Sequence, residues 1–191
     1  MASLDDDFDE LRERMRRGRD LGNTGFEPIY YLVFPPSRIM DVKRRTTAWI
    51  TRLTMDGFKV ETFSIAEEII RILHNDTRRP IWIAADKKAP LNFKRTTASL
   101  TNALTASGAL QKSLEDLLGS LESISRSLVL VTDLEALHPY MRIGAIEAQL
   151  QGRFRVPTIF LYPGVRAGTT KLKFLGFYPE DGNYRSVHVG S

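Results

Sequence analysis

The stretch Phe34-Pro35-Pro36-Ser37-Arg38 stands between an apolar, aromatic run, PIYYLVF, and the basic residues Lys43, Arg44 and Arg45. Strand, tight turn and helix start are the surroundings of a nucleotide-phosphate loop, and phosphoryl transfer is the chemistry they would serve. Such a loop needs glycines so that successive N–H groups converge on the anion, a lysine for the outer phosphates and a Ser or Thr for magnesium. Here the glycines and the lysine are missing, and two prolines remove two backbone donors where donors are required. The residues predict no NTP hydrolysis by this loop.

Asp133 ends the apolar run SLVLVT, the place of a magnesium-organising carboxylate in phosphate-loop enzymes. It also precedes LEAL, where it can cap the next helix by accepting a first-turn N–H, and the cap is the preferred reading. The three histidines, His74, His138 and His188, fall on a helix end, beside Pro139 and in the C-terminal strand, with no ligand spacing between any pair. A metal needs several converging ligands and a general base needs a nucleophile and an orienting partner. No catalytic residue, metal site or cofactor is predicted.

The segment RRPIWIAADKKAPLNFKR, residues 78–95, holds Arg78, Arg79, Lys87, Lys88, Lys94 and Arg95 against the single acid Asp86, with Trp82 and Phe93 interleaved. Cations of this density can neutralise phosphates, and an exposed aromatic can stack on an unpaired base, which makes a nucleic-acid surface one reading. The other is a solvated basic loop with Trp82 and Phe93 buried, and it is preferred. Lys43, Arg44 and Arg45 form a weaker patch of the same kind.

Positioning these residues requires a scaffold, and 191 residues suffice for one domain that buries roughly two-thirds of its unfolded surface. The chain has no cysteine, which removes thiolate nucleophiles, zinc thiolate sites and disulfides together and fits a reducing compartment. Its 27 basic and 23 acidic residues leave +4, with pI near 9.4, enough to permit anionic partners without requiring them. No run approaches the ~20 apolar residues that span a bilayer, and Asp5, Asp6 and Asp7 are the wrong charge for a signal peptide. A soluble, cytoplasmic protein is expected.

Along the chain, Ser3, the early acids, the later bases and Gly18 predict a helix over about 4–17, with Phe8, Leu11 and Met15 as an apolar stripe docking in cis. Residues 1–25 are taken as this helix and a linker, and 26–191 as the domain. Buried strands are expected at 28–34, 58–65, 127–132 and 156–164, and IWIAA at 81–85 also reads as a strand. Helices are expected at 41–55, 66–75, 99–124 with interruptions at Gly108 and Gly119, and 135–151. TKLKFLGFY and NYRSVHV, separated by Pro179-Glu180-Asp181-Gly182, suit a hairpin or edge pair. The alternation predicts a three-layer α/β domain with a mostly parallel sheet of about five strands, in phosphate-loop NTPase-like or doubly wound order but without the phosphate loop.

YYLVFPP near the start, VPTIFLYPG late in the chain and GNYRSVHV at its end resemble the BrxB family of BREX phage-defence components, in the same order over roughly residues 28–189. The agreement is sharpest at Tyr162-Pro163-Gly164 and Asn183-Tyr184-Arg185; the N-terminal helix and the basic 78–95 segment do not belong to the recognised pattern. The resemblance implies a cytoplasmic accessory protein without enzymatic activity, acting beside a DNA methyltransferase, a large ATPase and a PglZ-type phosphatase-like protein. Contact with the PglZ-type protein is the implied partnership, with DNA as the alternative. Read from the residues themselves, Gly164 suits a turn with positive φ, and Tyr184 and Arg185 can tie the last strand to that turn. If Arg185 is exposed beside Arg166, the pair can instead bind a carboxylate or phosphate of a partner.

Overall fold

The computed structural model describes residues 3–20, 27–168, 171–182 and 186–190. Strand β1 (Ile29–Phe34) is buried at every position. Ile29, Tyr31 and Val33 enter one hydrophobic cluster and Tyr30, Leu32 and Phe34 another, the two-residue period of a strand covered on both faces. It is followed by β2 (Lys59–Ser64), β3 (Ser127–Thr132), β4 (Thr158–Ala167), β5 (Lys171–Phe174), β6 (Glu180–Gly182) and β7 (Val187–Gly190). The main sheet is parallel throughout, in the order β2-β3-β4-β1-β7. β4 outruns it and pairs antiparallel with β5, which in turn pairs with β6.

From β1 the chain crosses to the far edge at β2 and returns through β3 and β4 to β7. Crossovers keep one hand, so outward and return connections cover opposite faces. Helix α1 (Leu4–Asp20) and helix α2 (Ile39–Met55) cover one face. On the other lie α3 (Ile65–Asn75), α5 (Phe93–Ala106), α6 (Ala109–Leu121) and α7 (Ile143–Gln149), while α4 (Arg79–Lys88) is outermost, touching α3 and α5 and burying only Trp82. The result is a mixed α/β, three-layer arrangement around two cores.

Helix α1 docks in cis. Ser3 Oγ accepts from the Asp6 amide at 3.1 Å and Asp6 accepts from the Ser3 amide at 2.9 Å, a reciprocal cap at its start. Leu4, Phe8, Leu11 and Met15 are buried, and the Phe8 ring stacks on Trp49 of α2 at 4.6 Å. Trp49 Nε1 donates to Asp5 at 2.9 Å, Arg45 pairs with Asp5, and Arg12 and Arg16 grip Asp56 at the end of α2. The helix runs past Gly18 to Asp20, beyond the predicted stop.

Four expectations about elements are corrected. IWIAA belongs to helix α4, not to a strand: Pro80 sits in the first turn, where its lost N–H costs nothing, and of the run only Trp82 is buried, as on one face of an outer helix. The helix expected over 135–151 is a 3-10 turn, Leu134–Leu137, a break at Pro139 and the short α7. Of the two glycines in the 99–124 region only Gly108 interrupts, at φ 59°, a left-handed conformation that glycine adopts without strain; Gly119 lies inside α6. The C-terminal segments do not pair with each other as a hairpin; the edge alternative holds for the last of them, since Val187–Gly190 is an edge strand of the main sheet, parallel to β1, with Val189 in the core, while β5 joins the β4 extension.

Candidate functional site

In sheets of this kind ligands lie beyond the strand carboxyl ends, where successive connections leave for opposite faces. That region here is formed by the turn after β1, the start of α2 and the ends of β2 and β3. Pro35 is extended (φ −58°, ψ 138°) and Pro36 opens a 3-10 turn, Pro36–Arg38, whose Arg38 amide is spent on the Pro35 carbonyl at 2.8 Å. Of the four residues Pro35–Arg38, two therefore carry no N–H and a third, Arg38, has its amide committed.

Asp133 does not cap the following helix, as the sequence suggested. It takes the left-handed conformation at φ 58°, and its carboxylate turns back to accept from Ser64 Oγ at 2.8 Å and Thr132 Oγ1 at 2.9 Å. Lys43 Nζ lies 2.6 Å from Asp133 Oδ1 and 2.8 Å from Glu135 Oε1, so an ammonium stands between two carboxylates. Burial pushes the Asp133 carboxyl up, but the hydrogen bonds from Lys43, Ser64 and Thr132 and the lysine charge outweigh it and hold it below the usual range. Lys43 is held above its own usual value in the same way, burial being outweighed by the two carboxylates. Among the described residues no cluster of three or more His, Asp or Glu is placed to hold a metal.

Lys43, Ser64, Thr132, Asp133 and Glu135 each have a partner within this network. Ser64 donates to Asp133 while accepting the Glu67 amide at 3.2 Å as the N-cap of α3. That cap went unread in the sequence although Ser64-Ile65-Ala66-Glu67 is its local signal; the long-range partnership with Asp133 has no such signal. Lys43→Met keeps the stem and removes the charge, leaving Asp133 and Glu135 facing each other. Lys43 is 44% exposed, so solvent screens the pair, and the expected loss at pH 7 is about 1–2 kcal/mol in urea unfolding. Because the native Asp133 carboxyl is depressed, the lysine's contribution is present above the unfolded carboxylate pKa and is lost as the pH falls through the native value. The two unfolding curves should draw together as the pH falls through the native Asp133 value; a constant gap would mean that lost packing, not charge, is being measured.

The second region is the hairpin of α4 and α5. Arg78 is tied to Asp76 at 2.7 Å, with its guanidinium 5.4 Å from the Trp82 ring centroid. Trp82 is buried and its Nε1 donates to Ser99 Oγ at 2.8 Å, whereas Phe93 is exposed, so only half of the expectation that both aromatics are buried holds. Arg79, Lys87, Lys88, Lys94 and Arg95 have no ion-pair partner among the described residues.

The late motif is structural in its surroundings. Tyr162 is buried edge-on to Tyr31 at 5.5 Å, and Pro163 accepts the Leu175 amide at 2.9 Å. Gly164 is not the positive-φ turn expected of it. It continues β4, and a Cβ there would lie 2.5 Å from both the Lys173 carbonyl oxygen and the Tyr162 ring, so close approach and not backbone freedom requires glycine. Arg166 is exposed and reaches the Gly190 carbonyl at 3.4 Å. Asn183, Tyr184 and Arg185 lie outside the described residues, and with them the pairing of Arg185 with Arg166. The three histidines stay apart: His138 Nδ1 meets the Tyr178 hydroxyl at 2.5 Å, His188 Nε2 meets Ser186 Oγ at 2.9 Å, and His74 is in the last turn of α3.

A sequence profile of the family described as BREX protein BrxB matches residues 62–189. The chain belongs to the BrxB family. The matched span opens inside β2 and includes β3, β4 and Tyr162-Pro163-Gly164; it leaves out α1, β1 and the proline turn, and so YYLVFPP, one of the motifs on which the resemblance rested. The basic 78–95 segment, read from the sequence as foreign to the pattern, falls within it. Membership of the BrxB family places the chain in BREX phage defence, with partners to be sought in that system. No curated protein and no solved structure matches the chain. Among the described residues no helix is long and apolar enough to cross a membrane.

Proposed function

We propose that this BrxB-family chain is a non-enzymatic interaction subunit of its BREX system that docks on the PglZ-type protein. The observation that carries the reading is the Lys43 ammonium held between Asp133 and Glu135 at the strand ends, beside a turn with two prolines. Where a nucleotide enzyme keeps amides, a free lysine and a metal-binding carboxylate, this chain has a lysine paired with two carboxylates of its own. What remains available to other molecules is surface. Copurification of the untagged PglZ-type protein with this tagged chain at moderate salt is the test; separate elution of the two overturns the reading, as does magnesium-dependent ATP hydrolysis that disappears in Asp133→Ala.

The second reading is a DNA-binding module, favoured by the unpaired cations of the α4–α5 hairpin. Phosphate neutralisation releases counterions, so affinity for DNA should fall steeply with salt and fall further on charge reversal at Lys87 and Lys88. Binding that ignores both speaks for protein docking.

A further inference from the structure

The tip of the α4–α5 hairpin combines two features that a solvated loop does not need. Lys87 and Lys88 close α4, the Ala89-Pro90-Leu91-Asn92 turn follows, with the Asn92 amide on the Ala89 carbonyl at 2.9 Å, and Phe93, Lys94 and Arg95 open α5. Leu91 is 93% exposed and Phe93 64%. Two large apolar side chains thus stand in water within a few residues of four cations that no carboxylate of the described chain neutralises. Lys94 and Arg95 occupy the first turn of α5, which has no acidic residue and no side-chain cap, at the helix end whose dipole favours negative charge.

We infer that this tip seats an acidic segment of a partner protein, whose apolar side chains cover Leu91 and Phe93 and whose carboxylates meet Lys87, Lys88, Lys94 and Arg95. An apolar centre with a charged rim is the anatomy of a protein interface. Nucleic acid fits the cations but not the leucine, which gains nothing from phosphate, and the aromatic best suited to stacking, Trp82, is buried with its N–H on Ser99. A second copy of this chain fits poorly as well, because its carboxylates are largely committed internally: Asp5, Asp9, Asp41, Asp56, Asp133 and Glu135 all hold cations of their own chain. The inference rests on the interaction-subunit reading and adds to it the face and the chemistry of the partner.

Two variants separate the components, Leu91→Ser with Phe93→Ser, and Lys87→Glu with Lys88→Glu. All four side chains are exposed, so both proteins should keep the wild-type thermal midpoint. The probes are a labelled amphipathic peptide with leucine on one face and glutamate on its flanks, polyglutamate of equal length, a short DNA duplex and phosphatidylserine vesicles. The expected result is binding of the amphipathic peptide that weakens at least roughly tenfold in each variant, with polyglutamate weaker by a similar factor. Equal binding of the two peptides overturns the inference, and so does tighter binding of DNA or vesicles, or self-association that the Leu91→Ser, Phe93→Ser variant abolishes. The PglZ-type protein gives an independent arm. If it copurifies with the wild type and with both variants alike, the docking function stands and this face is wrong. If it does not copurify at all, the function fails while the peptide result still decides the chemistry of the tip.

Discussion

Phe8→Ala should lower the urea midpoint of the whole chain in a single cooperative transition, at a cost of about 3–5 kcal/mol. Phe8 is fully buried and lies flat on Trp49, with 10° between the ring planes, so truncation removes both its transfer free energy and a stacked contact, and leaves a void against a rigid indole. The same helix joins the larger unit through Leu4, Leu11 and Met15 and through the Arg12 and Arg16 contacts to Asp56. Asp56 is held below the usual carboxylate range chiefly by the Arg12 hydrogen bond. A loss of that size should lower Tm by roughly 10 °C in a chain of this length. Differential scanning calorimetry would show one displaced peak. An unmoved main transition, with only a small early loss of helical signal, would mean that α1 is an appendage and not part of the core.

Acidification should destabilise the protein through His188. Its imidazole, on edge strand β7, is pushed down to about 4, first by burial and then by the charge of Arg166. Around it stand the Tyr31 ring, edge-on at 5.5 Å, Ser186 Oγ on Nε2, and Arg14, whose guanidinium reaches the His188 carbonyl at 3.4 Å. No acid among these groups favours the imidazolium. The unfolded chain therefore binds a proton near pH 6.5 that the native state refuses until about pH 4, so stability is complete above about 6.5 and declines as the pH falls between those values. At about 1.4 kcal/mol per unit, the loss by pH 4.5 is about 2.5 kcal/mol. Urea unfolding of wild type and His188→Asn from pH 7.5 to 4.5 isolates it, since the carboxylates titrate in both proteins. Parallel curves would show that the imidazole is not buried neutral.

Much of the architecture was legible because it rests on local rules. The apolar runs IYYLVF and LVLV, rich in β-branched and aromatic residues, read as strands covered on both faces, and their alternation with amphipathic helices leads to a parallel sheet. The helix stripe through Phe8, Leu11 and Met15 similarly announced a buried face. The errors arose where local signals competed. IWIAA has β-branched residues but a proline in its first turn, and the proline's suitability for a helix start decided it. Val187-His188-Val189 resembles a hairpin strand, yet its partner is β1, more than 150 residues away, which no turn chemistry reveals.

The candidate site divides along the same line. Composition and the two prolines at 35 and 36 already removed the phosphate cradle, because a missing N–H is a property of the residue itself. The network of Lys43, Ser64, Asp133 and Glu135 was illegible, because it joins α2 to the ends of two strands and exists only once the sheet order places them side by side. Exposure belongs to the same class. Trp82 and Phe93 are both aromatic residues in a basic segment, and the sequence treats them alike; the packing of α4 on α5 buries one and leaves the other, with Leu91, in water. The sequence by itself determined that the turn after β1 carries two prolines and no glycine, since that is a matter of residue type. Only the tertiary structure decided which charges are paired internally and which stand unpaired among the described residues, since that depends on distances between segments far apart in the chain.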